Sequence, residues 1–245
     1  MPEDTAPPSP RARSGIHEAV HALVAGLGPA AGKTALDAPL GRGAMAYQLH
    51  QAGYAVSGAD IDLEQSAGLP PAITRKACDL AVQLPFPDAS FDLVTCLEGI
   101  EHVENHFKML REIGRVTKPG GSLILSTPNI CNLEERLNFL ARGTFYRFIS
   151  RAEVESHGSG FDHQNLIGYV ELRQVLDWAG FDLARVEKDR AKWKQVVFLA
   201  PLWLVLKCYT ALQSPKRKQN YLMDETAAAN VLLGGNTLIL LARKR

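Results

Sequence analysis

The sequence predicts an α/β fold on a doubly wound, Rossmann-like sheet, mostly parallel, with a helical insertion before the last strand. Three observations predict it. Apolar runs of strand length alternate with helix-period segments from Lys33 to Lys188. The first run ends in a glycine turn, Asp37-Ala38-Pro39-Leu40-Gly41-Arg42-Gly43, and the second ends in an acid, Asp60. The chain has 245 residues, 46% hydrophobic and 22% charged, enough apolar material for the core of one large domain.

Each element follows from local spacing. Ile16, Ala19, Val20, Leu23 and Val24 recur at helical intervals, so residues 15–27 read as an amphipathic helix ended by Gly28-Pro29 and lying against the domain without carrying chemistry. Residues 34–38 form a strand, 44–51 a helix and 54–60 a strand. The rhythm continues with strands at 73–76 and 91–97, a helix at 105–116 and a strand at 122–126. Lys118-Pro119-Gly120-Gly121 sets a tight turn between that helix and strand. A helix at 169–179, closed by Gly180, leads to a strand at 181–188, and the last strand is 237–242. Residues 191–235 are an apolar, helical insertion between these two strands.

Composition excludes several classes. Lys and Arg number 27 against 26 Asp and Glu, a net charge of +1, so nothing suggests a protein built to grip nucleic acid. Cys78, Cys96, Cys131 and Cys208 form no CxxC pair and no zinc-type spacing with histidine, so neither a metal site nor a redox dithiol is expected and the thiols read as reduced and mostly packed. The opening MPEDTAPPSPRARSG is polar and proline-rich without an apolar stretch, so residues 1–14 read as a disordered tail, residues 15–245 as one domain, and the compartment as cytoplasmic.

Glycines after a first strand let a ligand approach the backbone, and the next helix offers free N–H groups. Gly41-x-Gly43-x-x-Ala46 alone also fits a dinucleotide fingerprint, as a nicotinamide-dependent oxidoreductase would carry. The surrounding acids separate the readings. Asp37 precedes the glycines, Asp60 ends the second strand where a carboxylate can accept both hydroxyls of a ribose, and Asp79 in Cys78-Asp79-Leu80 is suited to accept from an exocyclic amine.

In order along the chain stand Asp79-Leu80, Leu84-Pro85-Phe86-Pro87-Asp88, Phe91-Asp92-Leu93-Val94, Glu101-His102-Val103, Arg115-Val116-Thr117-Lys118-Pro119-Gly120-Gly121 and Ser126-Thr127-Pro128-Asn129. This ordered set resembles the class I S-adenosylmethionine-dependent methyltransferases from about residue 34 to 189 and in the final strand. The resemblance implies an antiparallel last strand and S-adenosyl-L-methionine as cofactor. It also implies that Asp37, Gly41 and Gly43 face the methionine part, Asp60 the ribose, and Asp79-Leu80 the adenine, with Glu98 beside them. The chain departs from the family where Pro39 and Leu40 replace a glycine and a small residue. Proline fixes φ and removes one backbone donor, which leaves a non-catalytic scaffold as an alternative.

Methyl transfer from a sulfonium is an in-line displacement, so alignment is the main demand on the protein. A hydroxyl acceptor also benefits from a base within hydrogen-bond reach. Candidate bases are His163 first, then His102 and His157. Glu98, Glu101 and His102 follow the fourth strand, while His157, Asp162 and His163 belong to a polar loop that could equally be a lid. Residues 126–143 and 162–181 look like bacterial methyltransferases of cell-surface glycan assembly more than like the quinone-pathway O-methyltransferases. This implies a small-molecule or glycan acceptor, a sugar or lipid-linked glycan, with a quinone-type acceptor as the alternative.

The stretch Val196 to Leu206, VVFLAPLWLVL, is almost wholly apolar and flanked by Lys192, Lys194, Lys207, Lys216, Arg217 and Lys218. It is shorter than the roughly 20 apolar residues that span a bilayer. It can lie in a membrane interface through residues 193–209, which would place the protein at the inner face of the membrane, or it can cover the domain's own sheet or meet a second copy in a homodimer.

Overall fold

The computed structural model describes residues 8, 9, 14–145, 163 and 165–245. Most of the expected N-terminal tail and the candidate base His157 lie outside the described residues. The elements run α1 (Ser14–Ala25), β1 (Thr34–Asp37), α2 (Ala44–Gln51), β2 (Ala55–Asp60), β3 (Thr74–Ala77), β4 (Phe91–Leu97), α3 (His106–Val116), β5 (Thr117–Pro128) and α4 (Leu133–Arg142). They continue with α5 (Tyr169–Trp178), β6 (Phe181–Lys188), α6 (Trp193–Ala211), α7 (Pro215–Asn220), α8 (Met223–Thr226), α9 (Ala229–Leu232) and β7 (Thr237–Lys244).

The seven strands lie in the order β3-β2-β1-β4-β5-β7-β6, and β7 runs antiparallel to both β5 and β6. The remaining pairs are parallel. Strand pleating divides the core, because neighbouring side chains point to opposite faces. Leu93, Ile124 and Ile239 pack on one face with Val20 of α1 and Leu49 of α2. Val94, Leu123, Leu125 and Leu240 pack on the other with Leu110 of α3 and Leu172 of α5. Strand order reverses between β1 and β4, which opens a crevice at their carboxyl ends, the usual ligand position in such sheets.

The structure corrects the expected turn at Lys118-Gly121. These residues belong to β5, whose register against β4 slips between Phe91↔Thr117 and Leu93↔Ser122. Gly120 bends the strand at φ +74°, and the Lys118 ammonium closes on Asp92 at 2.7 Å. One helix has no counterpart in the sequence reading. In α4 the side chain of Asn132 accepts from the Glu135 amide at 2.9 Å, and Gly143 ends the helix at φ +72°. An Asn three residues before Glu and a glycine eleven residues after that Asn are the signals that mark it.

The insertion is helical, as its composition suggests. Leu199, Trp203 and Leu206 of α6 pack against Leu133, Ala227, Leu232 and Leu233, and the Trp203 indole donates to the Ala227 carbonyl at 3.0 Å. Cys96 is buried but Cys208 is exposed, because it sits on the face of α6 turned away from this cluster.

Candidate functional site

A cavity of about 910 Å³ opens where β1, β2 and β4 end. Asp37, Pro39, Leu40, Gly41, Asp60, Asp79, Leu80, Glu98, His102 and His163 all line it. Segments far apart in sequence thus meet at one crevice, and all the expected cofactor contacts but one line it.

The exception is Gly43. A Cβ at Gly43 would lie 2.3 Å from Leu69 Cδ1, so this glycine is required for packing and for the φ of +79° at the start of α2. Gly41 differs: its φ is +51°, and a Cβ there would meet nothing within 4 Å. The loop therefore keeps one glycine open to a ligand and one closed against its own core.

The departures at Pro39 and Leu40 are matched by two other glycines. A Cβ on Gly99 would lie 2.4 Å from Pro39 Cδ, and a Cβ on Gly58 would lie 2.5 Å from Leu40 Cδ1. The bulk added to the loop thus occupies space freed elsewhere, and the Leu40 amide still donates to the Ala59 carbonyl at 2.9 Å. The loop keeps its place although one N–H is gone.

The acids have distinct tasks. Asp60 Oδ2 accepts from the Gly41 amide at 2.7 Å and Oδ1 from the Asp62 amide at 3.1 Å, which ties the glycine loop to the end of β2. Each carboxylate oxygen retains a lone pair, so vicinal hydroxyls can still be accepted on the cavity side. Asp37 lies deeper, its Oδ2 accepting from the Ala46 amide at 3.0 Å and its Oδ1 from the Thr95 hydroxyl at 2.7 Å. Complete burial pushes its carboxyl up to about 7, against the Thr95 and Ala46 hydrogen bonds that lower it, and the nearby Asp60 charge raises it further. Asp79 is exposed, and its Oδ1 accepts from the Ala81 amide at 2.8 Å, fixing the turn that presents the buried Leu80.

On the opposite wall, Glu98 holds a left-handed φ of +48°, a sparsely populated conformation of the kind found at ligand sites. Its Oε1 accepts from the Ser126 hydroxyl at 3.0 Å, and its amide donates to the same oxygen atom at 2.9 Å. The rings of His102 and His163 meet edge to face with centroids 5.1 Å apart. Asn165 explains this approach: its amide donates to the Glu101 carbonyl at 3.0 Å, and its side chain donates to the Val103 and Glu104 carbonyls at 2.7 and 2.9 Å. One ligand atom each from buried Glu101, exposed His102 and half-buried His163 lies within 4.8 Å of the others, a set that could take a cation although the sequence suggested no metal.

Sequence reasoning missed His17. Helix α1 was expected only to cover the sheet, yet His17 lines the cavity, and burial holds its imidazole below the usual value. The helical period placed His17 next to the buried Ile16, which is all the sequence offers. Ile61, also unforeseen, lines the cavity although it is 69% exposed. An apolar residue held in the open beside Asp60 offers a surface for a flat ring.

A buried acceptor tied to an open glycine loop, apolar residues on either side of it and a cavity of this size fit a nucleoside-bearing cofactor. Residues 36–125 match the family described as a methyltransferase domain. A ubiquinone biosynthesis O-methyltransferase from Pseudomonas paraeruginosa is 32% identical over 166 residues, which cover 56% of this chain and 68% of that protein. A demethylmenaquinone methyltransferase from Listeria monocytogenes is 34% identical over 43% of this chain, and the match spans only 47% of that relative's length. Among solved structures, an S-adenosylmethionine-dependent methyltransferase from Archaeoglobus fulgidus superposes with a TM-score of 0.58 at 19% identity, covering 93% of this chain and 94% of its own. One from Mesorhizobium loti gives 0.54 at 19%, with 91% and 96% covered. Fold, site and relatives together make this chain a class I methyltransferase that uses S-adenosylmethionine.

Proposed function

We propose that the enzyme methylates an oxygen, with a sugar hydroxyl, free or on a lipid-linked glycan, as the acceptor. The observation that carries the oxygen reading is the pair of imidazoles, His102 and His163, at the wall of the cofactor-sized cavity. S-adenosylmethionine, when bound, supplies an electrophilic methyl group on a sulfonium. Asp60 would accept the ribose hydroxyls, Asp79 the adenine amine, and Ile61 and Leu80 would flank the ring. Asp37 and Gly41 would border the methionine part. An imidazole nitrogen of His163 would take the proton of the acceptor hydroxyl, and His102 would orient that ring. Acceptor choice rests with residues 130–165 and the insertion.

A second reading is a quinone-type phenol, which the Pseudomonas relative favours. A phenol ionises near pH 10, far below a sugar hydroxyl, and so depends less on a base. The test is transfer of a labelled methyl group to a panel of glycans and phenolic quinone precursors. Incorporation into a glycan, lost at least about 100-fold in His163→Ala with unchanged cofactor affinity, supports the first reading. Incorporation into phenols alone, with His163→Ala nearly as active, supports the second. Labelling of amines alone overturns both.

A further inference from the structure

The face of α6 opposite its packed stripe is apolar and open to solvent. Val197, Phe198, Leu204, Val205 and Leu212 are 60%, 73%, 54%, 62% and 84% exposed. Helix α4, which packs beside α6, adds Phe139 and Leu140, the latter 82% exposed. A stripe of this kind is larger than the scattered apolar residues of an ordinary surface. The helix is apolar on its inner face as well, which carries Leu199, Trp203 and Leu206.

Charge says what covers it. Between Arg190 and Met223 the chain carries seven basic residues and no acid, although the whole protein is nearly neutral at +1. Among the described residues, Lys207, Lys216, Arg217 and Lys218 have no carboxylate within salt-bridge distance, whereas Lys192 is held by Glu134 at 2.6 Å. Arg136 of α4 and Arg217 of α7 line a second cavity of about 520 Å³ bounded by Tyr169 and Tyr221. Its one acid, Glu171, is turned towards His106 at 3.6 Å. Among the described residues, no helix is long and apolar enough to cross a membrane. An apolar stripe edged by uncompensated cations, on a helix that cannot span, matches an interface whose hydrocarbon begins beneath negative phosphates.

We propose that the outward face of α6, with the end of α4 and the basic α7, docks on an anionic lipid bilayer. Phe198, Val205 and Leu140 enter the acyl boundary. Lys207, Lys216, Arg217 and Lys218 meet lipid phosphates, and the Arg136–Arg217 cavity admits one headgroup. This surface goes beyond the reading of the acceptor and does not depend on it.

Vesicle flotation with the full chain tests the proposal, comparing pure phosphatidylcholine with phosphatidylcholine containing phosphatidylglycerol. Binding is expected to the anionic vesicles, and to weaken as salt rises. Replacing Lys216, Arg217 and Lys218 by Gln is expected to lower affinity by about a hundredfold, at roughly fivefold per charge near an anionic surface. Phe198→Glu and Val205→Glu are each expected to abolish flotation while melting temperature and S-adenosylhomocysteine affinity stay unchanged. The proposal is overturned by no flotation with either vesicle, by equal binding to both that ignores salt, or by a lipid-free dimer that Phe198→Glu splits. In the last case a second copy covers the face. Loss of melting temperature in Phe198→Glu would overturn it too, by showing that the face is internal packing.

Discussion

Replacing Asp37 by Asn tests the electrostatics of the site floor through stability. The native carboxyl is pushed up to about 7 from an ordinary value of 3.8, mainly by complete burial. Between these two values the native state holds a proton that the unfolded chain has released, so stability falls as pH rises through that window and levels off above it. Roughly three units at about 1.36 kcal/mol each set an upper bound of about 4 kcal/mol between pH 4 and pH 8. Asn can keep the geometry: its oxygen accepts from the Ala46 amide, and its NH2 donates to Thr95 Oγ1, which is already 3.3 Å from the Leu36 carbonyl. Asp37→Asn should therefore be about as stable as the parent near pH 4 and more stable at pH 8. At about 2–4 °C per kcal/mol for a domain of this size, the melting-temperature difference grows by up to about 16 °C across the range. Calorimetric scans of both proteins from pH 4 to 8 measure it. Parallel curves, or a gain for the variant that shrinks as pH rises, would refute the reasoning.

Two further substitutions probe the cofactor pocket. Asp60→Ala removes an acceptor and unties the Gly41 and Asp62 amides, so S-adenosylhomocysteine affinity should fall about 10- to 100-fold in a calorimetric titration, and unchanged affinity would remove Asp60 from the ribose site. Gly99→Ala places a Cβ against the Pro39 ring at 2.4 Å, so it should cost about 1–3 kcal/mol in denaturant unfolding and weaken cofactor binding together. The double variant Gly99→Ala, Pro39→Gly should restore most of both, which a mere loss of flexibility at Gly99 would not allow.

The fold was legible because its signals are local. Strands at Phe91–Leu97 and Phe181–Lys188 and the helix Ala44–Gln51 fall on the residues their apolar spacing marks. The bulge at Lys118–Gly121 was read as a turn because a Pro-Gly pair signals both, and only pairing with β4 decides between them. Helix α4 escaped because its exposed apolar residues, Leu137, Phe139 and Leu140, blur the period by which a buried face is recognised. At the site, the acids ending β1 and β2 were visible as motif positions. The different duties of Gly41 and Gly43 were not, since Leu69 reaches Gly43 from a distant loop. The compensation of Pro39 and Leu40 by Gly99 and Gly58 is likewise a long-range fit that no spacing along the chain reveals.

The central claim is that the crevice at the ends of β1, β2 and β4 holds S-adenosylmethionine, and one titration tests it before any acceptor is known. The purified protein is titrated calorimetrically with S-adenosylhomocysteine, with NADH run alongside. The account predicts micromolar binding of the first, lost in step with Asp60→Ala, and no heat from the second. Silence from S-adenosylhomocysteine with a folded chain, or binding of NADH in its place, would contradict it.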